Sequence, residues 1–256
     1  MNSKLKACLF TAILFLPFSS FAKFPGVISH LQLGYSFLSN KADYTSTFML
    51  KGFGQGDVDT AYKPYEMETT LSWGFTAGTY FPLKRLGQAT SLCLNVDYMY
   101  NLMTWKSKVP GFAYENNFEL DGATVQMALP IGLDIKYGAH AVSLKHPRFC
   151  GAIGAGVYPS YALTTLTGVP ITLDPAFSVA PYVKAEVGIY AGICMKVRAM
   201  YAIGDLTYMD YKHSESGGGI DTKGTAKLVG KSNFAISLLI MPFSYKWSTE
   251  DWWNTY

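Results

Sequence analysis

The chain has 256 residues, of which 49% are hydrophobic, 15% aromatic and only 15% charged, and its formal net charge is +3. Soluble domains of this size usually carry about 25% charged residues, so this chain is poor in charge and rich in aromatic side chains. Beyond the N-terminus no unbroken apolar run reaches the roughly 18 residues of a membrane helix, which argues against a helical membrane protein.

The first 22 residues have the features of a secretory signal peptide. Lys4 and Lys6 give a basic start, an apolar core follows, and Ser20-Phe21-Ala22 resembles an A-x-A cleavage site. We expect cleavage after Ala22. The cleavage removes two lysines and no acid from 21 basic and 18 acidic residues, which leaves a net charge of +1. Without a basic excess to neutralise phosphates, we expect no nucleic-acid partner.

Eight segments of the remaining chain alternate between apolar and polar or small residues, which is the period of a β-strand. In chain order they are 27–38, 67–81, 91–102, 123–138, 149–163, 179–189, 196–203 and 234–240. The clearest is Ala123–Gly138, whose odd positions are all apolar and whose even positions are small, polar or charged. A tilted strand that crosses a bilayer needs about 9–11 residues, and this segment is long enough.

The connections between these segments are alternately long and short. The predicted long loops are 39–66, 104–121, 164–178 and 205–229. An even strand number with this alternation is typical of outer-membrane barrels. The sequence therefore predicts an all-β fold, an eight-stranded antiparallel up-and-down transmembrane β-barrel with long loops outside the cell and both termini in the periplasm. The predicted divisions are a signal peptide (1–22), the barrel (23–246) and a periplasmic tail (247–256).

Three of these segments resemble a known family. Residues 125–137 resemble the "IPLLLKY" strand of the PorT-like outer-membrane β-barrel proteins. Phe149 to Tyr161 is similar to the Gly-rich strand that follows in that family, and Arg198 to Gly204 is similar to its "RY-x-YGL" segment. The resemblance implies an eight-stranded barrel in the outer membrane of a Gram-negative cell, and it implies no reaction.

The polar faces of the predicted strands carry charges of both signs. Nine are assigned to the lumen: Glu68, Asp97, Asp134, Lys136, Arg148, Lys184, Glu186, Lys196 and Arg198. Side chains fill the interior of an eight-stranded barrel, and charges enclosed there must be paired or hydrated. We expect a salt-bridged plug that is strongest toward the short turns. The alternative is a narrow polar conduit for ions or small solutes.

The predicted outer loops carry many aromatic residues. Candidates for contact with a surface ligand or protein partner are Tyr44, Phe48, Phe53, Tyr62, Phe112, Tyr114, Tyr208 and Tyr211. The alternative is that they pack against one another above the barrel. The run Lys212-His213-Ser214-Glu215 combines a base, a hydroxyl and a carboxylate, but adjacent loop residues do not form the fixed relay that catalysis requires.

These observations predict a structural or surface-interaction protein of the outer membrane, and porin-like transport through a narrow pore is the alternative. We expect no enzyme activity, no cofactor and no metal. The partners that we expect are outer-membrane lipid and a ligand or protein at the loops. Cys93, Cys150 and Cys194 have no disulfide or metal spacing, and a single disulfide among them is left open.

Overall fold

The structure, a computed structural model, describes residues 30–52, 55–61, 65–109, 118–141, 148–166, 175–217 and 220–244. These ranges contain eleven strands and one 3-10 turn at Ala139–Ala141. The strands are β1 (Gln32–Gly52), β2 (Gln55–Ala61), β3 (Tyr65–Arg85), β4 (Thr90–Val109), β5 (Phe118–Ala128), β6 (Ile131–Gly138), β7 (Phe149–Leu166), β8 (Ala176–Tyr190), β9 (Cys194–Ala202), β10 (Leu206–Gly217) and β11 (Ile220–Met241). None of the described helical residues forms a segment long and apolar enough to cross a membrane.

The strands form a closed antiparallel ring with eight wall positions. Each wall strand pairs with its neighbours in sequence, and β11 pairs back onto β1. Strands β5 and β6 form one wall position, because they pair in the same register with β7 on either side of Pro130. Strands β9 and β10 form another, separated at Gly204, whose φ is +93°. The prediction of an eight-stranded up-and-down barrel is confirmed, and β2 adds a short hairpin strand outside the ring.

The outer wall of the barrel is apolar and exposed. On β8 the outward positions between Phe177 and Ile189 include Val179, Val183 and Val187, all at least 45% exposed. Thirteen strand residues tilted by about 40° span about 30 Å, which is the thickness of the hydrocarbon core of a bilayer. A belt of this height in contact with water would be strongly unfavourable, so it is the lipid-facing surface of a membrane-spanning barrel.

The wall strands continue well beyond this belt on the side of the long connections. Strand β1 reaches Gly52, β4 reaches Val109, and β10 and β11 form a hairpin that covers most of 205–229. We call 41–52, 55–61, 65–69, 104–109, 118–124, 206–217 and 220–231 the outer extension. Loops were predicted at 39–66, 104–121, 164–178 and 205–229, and this prediction was wrong, because nearly all of the described residues there lie in strands. The outward residues there face water and are polar, whereas inward residues such as Tyr44 and Leu228 are apolar. The alternation is therefore reversed relative to the membrane belt although the strand pairing persists.

A bulge in β3 reverses which residues face inward. The pairing of β3 with β4 shifts between Thr69 and Leu71. Below the shift Leu71 is 62% exposed on the lipid side, whereas above it Met67 is fully buried inside and Glu68 faces out. One extra residue in a strand exchanges the inward and outward positions of all residues beyond it. Counting alternate residues along the sequence therefore assigns the wrong face beyond the bulge.

Strands β1 and β11 approach each other closely at Gly34. A Cβ atom on Gly34 would collide with the backbone carbonyl of Leu238 and would lie 2.9 Å from the Cα atom of Leu239. These obstacles are backbone atoms in a paired ladder, so they cannot move aside without disturbing the barrel closure.

Replacement of Gly34 by alanine is therefore expected to destabilise the barrel by about 1–3 kcal/mol. Gly87, in the turn after β3, is the matched control because a Cβ atom there would meet nothing within 4 Å. Gly87→Ala should change stability by no more than about 0.5 kcal/mol. Urea unfolding in phospholipid vesicles, followed by tryptophan fluorescence, measures both. Equal effects of the two substitutions would show that the approach at Gly34 is not tight.

Candidate functional site

A cluster of seven buried charged side chains fills the lumen toward the short turns. The members come from four wall strands: Asp97 from β4, Asp134 and Lys136 from β6, Lys184 and Glu186 from β8, and Lys196 and Arg198 from β9. All seven side chains have no solvent exposure. We call them the lumen cluster.

Small residues on β7 allow this cluster to form. Strand β7 lies between β6 and β8, and Gly154 is paired with Asp134 on one side and with Lys184 on the other. A Cβ atom on Gly154 would collide with the carboxylate of Asp134. In the next row Ala152 lies between Lys136 and Glu186 in the same way. Long charged side chains from β6 and β8 thus meet across a strand that contributes almost no volume.

Glu186 has the most charged partners in the cluster. Its carboxylate accepts from Arg198 Nε at 2.7 Å and from Lys196 Nζ at 2.9 Å. The ammonium groups of Lys136 and Lys184 lie 3.6 and 3.7 Å from its oxygens. Four cations thus surround one carboxylate, so Glu186 is the acid whose loss would leave the most positive charge uncompensated.

The other two carboxylates complete the cluster. Asp134 contacts Lys184 at 2.9 Å and Lys136 at 3.0 Å, and Asp97 contacts Arg198 Nη1 at 2.9 Å. Gln32 joins them, because its amide nitrogen donates to Asp97 at 2.7 Å and its amide oxygen accepts from Lys196 at 2.7 Å. With every group ionised, four cations face three carboxylates and the cluster carries one net positive charge.

Two residues assigned to the lumen from the sequence lie elsewhere. Glu68 is exposed on the outer extension, where it pairs with Lys41 at 2.6 Å, because the β3 bulge turns it outward. The hydrogen bond to Glu68 and the nearby carboxylates raise the pKa of Lys41. Arg148 is exposed at the barrel rim, since β7 begins only at Phe149.

The lumen is also packed on both sides of the cluster. Toward the short turns Tyr80, Cys93, Cys150, Cys194 and Met241 form an apolar layer. All three cysteines are free, and the sulfur atoms of Cys150 and Cys194 lie 3.6 Å apart. Toward the outer extension a larger cluster of methionine, tyrosine, alanine and leucine side chains surrounds Trp105. The described interior is therefore filled along the length of the barrel.

Three of the aromatic residues proposed as surface contacts belong to this interior packing. Tyr44, Tyr208 and Tyr211 are at most 8% exposed, so they are not available to a ligand outside the barrel. Tyr208 packs against Trp105 with ring centroids 5.1 Å apart, and its hydroxyl donates to Asn233 at 2.6 Å. Above the membrane belt alternate strand residues still face the interior of the barrel, and these tyrosines occupy such positions. Phe48 lies on β1, and its side chain is outside the described residues, as are Phe53, Tyr62, Phe112 and Tyr114.

The run Lys212-His213-Ser214-Glu215 lies on β10 and not in a loop. Across the described parts of the chain, no three His, Cys, Asp or Glu side chains are grouped to hold a metal ion. Sequence reasoning missed Gln32 and Trp105 as interior partners. Gln32 lies on the polar face of the first predicted strand, so its position in the lumen could have been predicted from the alternation. Trp105 lies in a segment predicted to be a loop, where the sequence pattern did not indicate an interior position.

The comparisons with known proteins identify similar solved structures only. No family model matches the chain, and no curated protein matches it. The outer membrane protein OprG from Pseudomonas aeruginosa is 14% identical with a TM-score of 0.40, over 82% of this chain and 98% of OprG. Ail of Yersinia pestis is 8% identical with a TM-score of 0.28, over 79% of this chain and 98% of Ail. Neisserial surface protein A is 13% identical with a TM-score of 0.25, over 77% and 96%.

Removal of the central carboxylate should destabilise the barrel far more than removal of an exposed one. Breaking a buried ion pair from one side costs about 3–5 kcal/mol, so Glu186→Gln should lower the free energy of unfolding by that amount. Glu68→Gln, which breaks the exposed pair with Lys41, should cost less than about 1 kcal/mol. Urea unfolding in vesicles measures both, and similar losses for the two variants would contradict the central place of Glu186.

Proposed function

We propose that this protein is a closed barrel of the Gram-negative outer membrane that acts as a structural or surface-interaction protein through its outer extension. The proposal includes export by a signal peptide cleaved after Ala22, periplasmic termini and a place among PorT-like barrels. It includes no catalytic role. The filled lumen is the observation that carries it.

The packing of the described residues supports a lumen that is closed to solutes. The three layers of the interior, which are the thiol and tyrosine layer, the lumen cluster and the packing around Trp105, succeed one another along the barrel axis. A described cavity between Asn40, Gln126 and Tyr208 has a volume of about 10 Å³. That is space for about one water molecule. We therefore propose that the barrel supports the residues it holds outside the membrane.

The outer extension supplies the surface for such a role. Strands β10, β11, β1 and β2 form a continuous antiparallel sheet there, which gives the outer extension a hydrogen-bonded base. Lys41, Glu66 and Glu68 form an exposed charge group just above the belt, and Lys231 pairs with Asp43 at 2.7 Å nearby. Exposed residues on a rigid base are the usual location of recognition.

Narrow-pore transport is the second candidate, and the lumen cluster favours it. Seven charges with one excess cation would make a conduit selective for small anions if the packing opened. In that case Glu186, at the centre of the cluster, would affect ion selectivity.

Conductance in planar bilayers separates these two functions. The wild-type barrel should insert and show no discrete current steps, because its lumen is filled. A variant with Lys136, Glu186 and Arg198 all replaced by alanine removes paired charges and volume together, and it should show steps. That variant serves as the positive control for insertion once its folding has been checked by heat-dependent gel mobility. Steps in the wild type whose ion selectivity changes in Glu186→Gln would instead establish transport.

Binding by the outer extension can be measured on an array. Nanodiscs that contain the wild-type barrel should bind at least one component of an array of polysaccharides and extracellular-matrix proteins. A variant with the exposed Lys41, Glu66 and Glu68 all replaced by alanine keeps the wall strands and should lose most of that binding. Binding no greater than that of empty nanodiscs would count against a surface-interaction role.

A further inference from the structure

The thiol and tyrosine layer at the short-turn end of the lumen brings two cysteines together. The sulfur atoms of Cys150 on β7 and Cys194 on β9 lie 3.6 Å apart, and both residues are at most 5% exposed. Strand β8 lies between them, and Gly188 contributes no side chain there. A Cβ atom on Gly188 would lie 3.0 Å from the sulfur of Cys150. The two thiols therefore meet across a strand because the residue between them is a glycine.

The placement of these two thiols fits a shared metal ion better than a disulfide. Neighbouring strands are about 4.8 Å apart, so the backbones of β7 and β9 are about 9 Å apart across β8. Disulfides join Cα atoms that are only about 4.4–6.8 Å apart. Two thiolates on one metal ion, with bonds of about 2.3 Å, have sulfur atoms about 3.8 Å apart at the tetrahedral angle and about 4.6 Å apart when opposite each other. Small side-chain rotations of Cys150 and Cys194 are therefore enough to hold an ion between them.

The adjoining lumen cluster has one positive charge in excess. Its four cations face three carboxylates. Lys196 extends beside the thiols, because its Cγ atom and the sulfur of Cys150 lie 2.8 and 3.0 Å from the position of a Cβ atom on Gly188. The ammonium groups of Lys136 and Lys196 lie 4.3 and 6.0 Å from the ring centroid of Tyr80, which belongs to the thiol and tyrosine layer. A group with one negative charge in this layer would balance the lumen.

The number of donors selects the kind of ion. Within the described residues, no third His, Cys, Asp or Glu side chain is grouped with the pair as a metal ligand. Structural zinc usually takes four ligands. Copper(I) is a soft ion that prefers thiolates, and two of them are enough for it. When one Cu⁺ replaces the two thiol protons, which pass to the solvent, the resulting bis-thiolate complex carries one negative charge. That charge is the one that the excess cation of the lumen cluster neutralises.

We propose that Cys150 and Cys194 bind one copper(I) ion between β7 and β9. Cys150 is the second residue of β7 and Cys194 the first of β9, so the site lies near the short-turn rim and the ion enters from that end without crossing the lumen cluster. The spacing of the cysteines along the chain does not indicate this pair, because the two residues meet only across β8. The site depends on the fold alone and is independent of whether the outer extension binds a partner.

Copper analysis and X-ray absorption of the full barrel in detergent test the proposal. The reduced protein is loaded with copper(I) without oxygen and is then exposed to the copper(I) chelator bicinchoninate. The wild type should retain one copper ion per barrel, with two sulfur neighbours. Cys150→Ser and Cys194→Ser should each lower retention by at least the roughly tenfold that loss of a supporting contact costs at a metal site. Cys93→Ser is the matched control and should retain copper like the wild type, because Cys93 is also free and buried but its thiol contacts Ser91 Oγ at 3.3 Å.

Unfolding in urea gives a second measurement. Copper(I) should raise the urea midpoint of the wild type, because only the folded barrel holds the two thiols together. It should leave the midpoint of Cys150→Ser unchanged, when each protein is compared with its own copper-free sample.

A change of charge without a change of ligand tests the role of the lumen cluster. Gln32→Glu adds the missing carboxylate, so it should weaken copper retention severalfold while the two sulfur neighbours remain. Glu68→Gln alters an exposed charge on the outer extension and should leave retention unchanged.

Several results would overturn the proposal. They are equal retention by the three cysteine variants, copper without sulfur neighbours, zinc held as tightly as copper(I), equal effects of Gln32→Glu and Glu68→Gln, or a disulfide between Cys150 and Cys194 in the purified protein.

Discussion

The constraint on which this barrel depends is the neutralisation of charge inside a narrow cylinder. Removing an ion from water costs several kcal/mol even after relaxation, so an unpaired charge in the lumen would offset much of the stability of a domain. Each of the three buried carboxylates accordingly contacts at least two cations. That arrangement requires space, and Gly154 and Ala152 on β7 provide it. The smallest side chains of the wall are therefore as important to the cluster as the charged ones.

Charge neutralisation in the lumen also determines which surfaces of the barrel are available to partners. A lumen filled by ion pairs and flanked by packed aromatic and thiol layers leaves two surfaces for interaction, the lipid-facing belt and the outer extension. These surfaces differ in chemistry. The outward side chains of the belt are apolar, whereas the outer extension carries mixed charge such as Lys41 with Glu68. The protein thus presents one face suited to lipid and another suited to a polar partner.

The fold could be predicted from the sequence wherever lipid lies on one side of a strand and the lumen on the other. In Ala123–Gly138 the two environments differ so strongly that the period of two extends over the whole segment, and the lumen positions of Asp134 and Lys136 follow from it. Above the belt the contrast reverses, because the outward side chains are polar while the enclosed ones, such as Met67 and Leu228, are apolar. Register shifts at Thr69/Leu71 and Thr207/Met209 also interrupt the alternation there. The bulge near Thr70 is invisible to alternation as well, and it reversed the assignment of Glu68. The convergence of Asp134 and Glu186 depends on which strands are neighbours across Gly154 and Ala152, which only the closed ring determines.

The unequal number of charges in the cluster explains the place of Gln32. Four cations cannot each have a carboxylate of their own when only three are present, so one ammonium group must share. Lys196 does so by donating to both Glu186 and the amide oxygen of Gln32. The amide nitrogen of Gln32 in turn donates to Asp97, which already contacts Arg198. A neutral side chain with both a donor and an acceptor therefore links the carboxylates of Glu186 and Asp97 through the surplus cation. A carboxylate at position 32 would balance the charge but could not donate to Asp97, and a lysine could not accept from Lys196, which is why an amide suits this position.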